Sequence, residues 1–141
     1  HSIRRRQRQM CIRDSVDIEF IVQMLQLLHG KKYKNLQTPS TLFALEVLAD
    51  VGLMGDDTAT SLRNAYGLLR KIEGRLRLLD VRLGHTFPEG YRERNQLANL
   101  LNRQDGQALA DEVLQTTRMV RRVFNDIFSQ AESQLAGDKT N

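Results

Sequence analysis

Tryptophan is absent from this 141-residue chain, proline occurs twice, histidine three times and cysteine once. Each shortage closes off a class of protein. A single thiol, Cys11, cannot form an internal disulfide, which fits a reducing cytoplasm and excludes a disulfide-stapled secreted fold. One cysteine and three scattered histidines offer no zinc-ligand spacing, so no metal site is expected. Gln, Glu or Arg interrupts every apolar stretch within a few residues, and no small-residue cleavage site follows an early apolar run. Neither a membrane partner nor a signal peptide is expected. The nine glycines build no phosphate-binding loop, and Gly-x-Ser-x-Gly, His-Glu-x-x-His and calcium-loop spacings are missing, so no catalytic residue and no cofactor is assigned to this chain.

What is present has the composition of a folded domain: 40% hydrophobic and 27% charged residues, enough for one core in a chain of this size. The formal charge of +4 suggests nucleic acid, but its distribution argues otherwise. Arg4, Arg5, Arg6, Arg8 and Arg13 occupy an acid-free start; setting those five aside from 21 Lys and Arg leaves 16 against 17 Asp and Glu, a body of charge −1. A basic tail holds phosphate without specificity, and a solvated end is the commoner outcome, so no specific nucleic-acid partner is expected.

Five segments carry helical patterning and none alternates as a strand does. The first spans about Val16 to His29, capped by Asp14 or Ser15, with Gly30 expected as a left-handed stop. Its apolar residues cover more than one stripe, which predicts a helix packed on several sides. The second opens at Thr38-Pro39, carries Leu42, Phe43, Leu45, Val47, Leu48 and Val51, and ends at Gly52. The third begins after Asp56-Asp57 and holds a heptad seam of Leu62, Ala65, Leu69, Ile72, Leu76, Leu79 and Leu83. Gly67 and Gly74 share a face of it, either admitting a close neighbour or weakening the helix. Gly84 to Gly90 breaks the run; a shorter helix from about Tyr91 to Asn102 turns Leu97, Leu100 and Leu101 inward. After Asp105-Gly106 a long fifth helix reaches about Leu135, with Leu109, Val113, Thr116, Val120, Val123 and Ile127 on one seam flanked by Phe124 and Phe128. The two long seams should pack on each other. The pattern predicts an all-α fold, an elongated antiparallel helical bundle of about five helices, over residues 16–135, between a basic tail at 1–15 and a frayed end at 136–141.

Candidate contact residues lie on two helices. Asp17, Glu19 and Gln23 stand near the start of the first, where acids also suit the helix dipole. On the third, Arg63, Arg70 and Arg77 recur every seven residues and Arg75 and Arg82 form a second row, with Glu73 within ion-pairing reach of Arg70 and Arg77. Such a face is either a solvated, salt-bridged surface or one that docks a neighbouring domain or an anion. His29 at a helix end, His85 in the His85-Thr86-Phe87-Pro88 loop, and Cys11 have ordinary structural explanations.

Read in order, these residues resemble a known family. The string Val16-Asp17-Ile18-Glu19-Phe20-Ile21-Val22-Gln23, Leu62-Arg63 with Ala65-Tyr66, Leu69-Arg70, Glu73, Arg75-Leu76-Arg77, Asp80, Arg82, the His85–Pro88 loop, Arg118, Arg121-Arg122, Phe124 and Ile127-Phe128 are similar to the helical domain of bacterial glutamine synthetase adenylyltransferases, the bifunctional adenylyl-removing enzymes. A related helical domain occurs in PII uridylyltransferases. The resemblance covers about Val16 to Phe128. It implies a larger parent with nucleotidyltransferase domains that use ATP and Mg2+, each followed by such a helical domain. It also implies an upstream nucleotidyltransferase domain in cis, with glutamine synthetase and PII protein as partners. Asp17, Glu19 and Gln23 are then the first choice for contact with that domain, and Arg70, Glu73, Arg75 and Arg77 the second. The family's Gly-Ser and Asp-x-Asp pair is missing here, so this chain alone is expected to be inactive. The start at His rather than Met leads us to expect that the natural start is lost. Met10–Ser15 in place of the family's glycine pair, after the arginine cluster, leads us to expect that residues 1–15 are non-native or a disordered basic tail, and the polar end suggests the second, C-terminal copy. The rival expectation is a stand-alone helical protein-binding module without a catalytic parent.

Overall fold

The computed structural model describes residues 14–79 and 87–139. Among them are five α-helices, one 3-10 turn and no strand, so the all-α class holds: α1 (Asp14–His29), the turn Lys34–Leu36, α2 (Thr41–Asp50), α3 (Asp56–Leu79), α4 (Tyr91–Leu100) and α5 (Gly106–Lys139). Cys11, the arginine tail, Asp80, Arg82, Leu83, His85 and Thr86 lie outside the described residues.

The chain forms two compact units, one built around residues 65–119 and the other from 16–64 with 120–141. Each has a buried core. In the first, Ile72 and Leu76 of α3 join Phe87, Leu97, Ala98, Leu101, Leu109, Ala110 and Val113 in one cluster, so residues of both expected seams share a core there. The heptad positions Leu62, Ala65, Leu69, Ile72 and Leu76 are all at most 4% exposed. A repeat of three and four keeps one stripe inward along a helix, and burial has followed it.

Turn chemistry in this first unit is tightly specified. Asp105 Oδ1 accepts from the Ala108 N–H at 2.8 Å, capping α5, while the Gly106 N–H donates to Asn95 Oδ1 at 2.7 Å. Gly106 has to be glycine, because a Cβ there would stand 2.6 Å from Arg94 Cβ and 2.8 Å from its carbonyl carbon. Arg103 closes the same corner, with Nε and Nη2 on the Glu112 carboxylate at 2.7 and 3.0 Å and Nη1 on the Leu101 carbonyl at 2.9 Å. That fork holds the Arg103 guanidinium still more firmly in its charged form, raising its pKa. Leu100, expected inside, is 43% exposed; Ala98 takes the inward place one turn back from Leu101.

In the second unit the segment after α1 is tied down by amides. Gln26 Nε2 donates to the Leu36 and Thr38 carbonyls, both at 2.8 Å, and Gln37 Nε2 donates to the Gly30 carbonyl at 2.8 Å. Several local expectations are corrected. The cap of α2 is Ser40, whose Oγ accepts from Phe43 N–H at 3.2 Å; Thr38 instead accepts from Ser40 N–H, organising the turn before it. Gly30 lacks the expected left-handed backbone and still bonds to the Gln26 carbonyl as a helical residue would. Among the described residues the left-handed positions are Gly52 (φ 78°) after α2 and Asn102 (φ 56°) after α4. A Cβ added at Gly67 or at Gly74 would meet nothing within 4 Å among the described residues, so none of those is the close neighbour considered for that pair.

Candidate functional site

The contact candidates on α1 separate by side, as residues two apart on a helix must. Asp17 turns toward α5: its carboxylate, with 16% of its side-chain surface exposed, lies 3.5 Å from Arg121 Nη2. Burial raises the Asp17 pKa above its ordinary 3.8, and the Arg121 charge pulls partly the other way. Arg121 in turn sits over the Phe124 ring, 4.9 Å from its centroid, and Phe124 stacks on Phe128 at 4.3 Å. Sequence reasoning named Asp17 but missed Arg121 as its partner, because spacing within a helix says nothing about a residue from the far end of the chain.

Glu19 is half-buried and Gln23 exposed, one turn apart on a different side of α1 from Asp17. Beside Gln23 the helix departs from expectation. Ile18, Ile21, Val22 and Leu25 are buried, yet Val16, Phe20 and Leu27 are 38, 49 and 82% exposed, so the described residues leave one side of this helix open.

On α3 the candidates Arg70, Glu73 and Arg77 come together. Glu73, 16% exposed at its side chain, receives Arg77 Nη2 at 3.0 Å and Arg70 Nη1 at 3.5 Å. Arg75 is exposed and has no ion pair among the described residues. The salt-bridged reading of this face therefore holds for the Arg70–Glu73–Arg77 triplet. Arg63 belongs to a separate pair, 2.8 Å from Glu46 of α2, on the wall of a shallow depression that also includes Asp50 and Asp56. Among the described residues no group of three or more His, Cys, Asp and Glu could hold a metal ion, and no helix is long and apolar enough to cross a membrane.

Comparison with known proteins decides the family. The family model described as GlnD PII-uridylyltransferase matches residues 12–128, most of the chain. The chain belongs to this family. Within it, a bifunctional glutamine synthetase adenylyltransferase/adenylyl-removing enzyme of Nocardia farcinica is 38% identical over 120 residues, covering 79% of this chain and 12% of that protein. The protein of the same name from Corynebacterium diphtheriae is 45% identical over 73 residues, 52% of this chain and 7% of its own length. The chain therefore spans about an eighth or less of these relatives.

Proposed function

We propose that this chain is the helical domain of a glutamine synthetase adenylyltransferase, bracing a nucleotidyltransferase domain of the same polypeptide and relaying nitrogen status to it. The reaction is AMP transfer from ATP to a tyrosine of glutamine synthetase, releasing pyrophosphate, and the opposing activity removes that AMP by phosphorolysis. ATP and Mg2+ belong to the catalytic domain, and glutamine and PII protein set the balance between the two directions. The observation that carries the reading is identity of 38% with the Nocardia enzyme across most of the chain. We take the chain as the second, C-terminal copy of this domain, so AMP transfer is the activity to measure first, and we take the chain by itself to be inactive. A cytoplasmic location follows from the same reading.

The α3 face supplies the relay. A carboxylate shared by two guanidinium groups holds a fixed charge pattern along one helix side, and Arg75 leaves a further cation on that helix for a partner's carboxylate or phosphate. The test is the full-length protein containing this stretch, purified with and without Arg75→Ala and Arg77→Ala. Glutamine synthetase modification is followed by incorporation of labelled AMP across glutamine and PII concentrations. The double variant is expected to keep AMP transfer and to lose most of its response to glutamine. An unaltered response would remove the relay role, and a parent that never modifies glutamine synthetase would remove the assignment in favour of a stand-alone binding module.

A further inference from the structure

The first helix carries more apolar surface than its own fold uses. Val16, Phe20 and Leu27 succeed one another at spacings of four and seven on the side away from Ile18, Ile21, Val22 and Leu25, at 38, 49 and 82% exposure. Gln23 stands in the same lane and is exposed, and half-buried Glu19, one turn before it, is the charged residue that borders the lane. Helices apolar all round belong where every side is covered. Rows of large side chains at such spacing are also how a helix seats in a partner's groove.

The occupant is indicated by the length of the relatives. The chain spans 12% of the Nocardia protein, so most of that polypeptide lies outside the matching stretch. A groove tethered in cis meets the helix at an effective concentration no free partner matches. We propose that the Val16–Phe20–Gln23–Leu27 face of α1 seats in an apolar groove of the nucleotidyl-transferring domain of the same longer polypeptide, with a hydrogen-bonding group opposite the Gln23 amide. This rests on the reading of the chain as one segment of that parent. Asp17 takes no part in the contact, because its carboxylate is committed to Arg121 on another side of the helix.

Thiol accessibility tests the face. Leu27→Cys is placed in a Cys11→Ser background, in the 141-residue chain and in the full-length parent, and maleimide labelling at that position is timed by mass spectrometry. Labelling should be fast in the chain alone and slower by about tenfold or more in the parent, as a standing interface requires. Adding Phe20→Ser, a change at an exposed position, should restore fast labelling in the parent. Equal rates in the two proteins overturn the proposal. Slow labelling in the chain alone that deepens with protein concentration also overturns it, in favour of a second copy as occupant. Glutamine synthetase modification is measured on the same parent. A parent that modifies its substrate yet labels freely at position 27 loses the docking face and keeps the proposed function; protection without modification does the reverse.

Discussion

The outer faces of α1 and α3 answer the same physical problem differently. Along α3, Leu69, Ile72 and Leu76 are buried while Arg70, Lys71, Arg75 and Arg77 stand in water, with Glu73 bridging two of them. That side is mostly charged, with Leu78, 73% exposed, as its apolar exception. Along α1 the inner face is equally buried, but Phe20 and Leu27 occupy the side where α3 places arginines. Full burial of a large apolar side chain contributes about 1.5–3 kcal/mol; most of that is unrealised at Leu27, 82% exposed, and about half at Phe20, 49% exposed. The contrast teaches that two outer faces can differ in kind: α3 meets its surroundings mainly through charge, α1 through an uncharged row.

The largest expected effects lie in the core that both helices share with their units. Ile72→Ala empties a fully buried position and should lower the unfolding free energy by about 2–5 kcal/mol in urea titrations. Leu27→Ala, at 82% exposure, should change the isolated chain by no more than about 0.5 kcal/mol. A loss at Leu27 approaching that at Ile72 would mean that α1's outer face is already covered and would erase the contrast.

Next in size is Gly74→Ala on the solvated side of α3. With nothing within 4 Å of the added Cβ, the variant should gain about 1 kcal/mol of stability, read as a raised midpoint of thermal unfolding. Destabilisation there would show that the glycine serves a close approach after all. Smaller again is Glu73→Gln. Its arginine partners are 56 and 68% exposed at their side chains, so the loss should be about 0.5–1 kcal/mol at low salt and should fade near 1 M salt. A salt-independent loss would mean that Glu73 contributes by packing rather than by charge.

How much of this was legible beforehand follows from the range of each interaction. The α3 seam was readable because burial there repeats with the helix period, and Leu62 through Leu76 answer it position by position. The Arg70–Glu73–Arg77 triplet was readable because its members are three and four residues apart. Cap positions slipped by two residues at Ser40 because two hydroxyls, Thr38 and Ser40, both flank Pro39 and only the three-dimensional turn chooses between them. The open side of α1 was illegible for a different reason: its composition is that of a covered helix, and sequence does not say whether the cover lies inside the chain. Arg121 as the partner of Asp17 joins elements from opposite ends of the chain, which no local pattern reports.

That last pair gives the subtlest test of the comparison, since it asks whether α1's carboxylate behaves like α3's. Burial is the larger influence on Asp17 and raises its folded pKa above 3.8, with Arg121 offsetting part of the rise. Between 3.8 and the folded value, the folded chain holds a proton that the unfolded chain has released. Stability contributed by this group is then greatest below 3.8 and declines as pH rises through the folded pKa. Asp17→Asn mimics the protonated carboxyl at every pH. Its unfolding free energy should match the parent sequence at the acid end of that window, exceed it slightly at neutral pH, and show a flatter slope between. Urea titrations at a series of pH values read all three. A variant less stable than the parent sequence at neutral pH would mean that attraction to Arg121 outweighs the cost of burial. Asp17 would then be a paired surface carboxylate of the same kind as Glu73, and α1 would differ from α3 only in its apolar row.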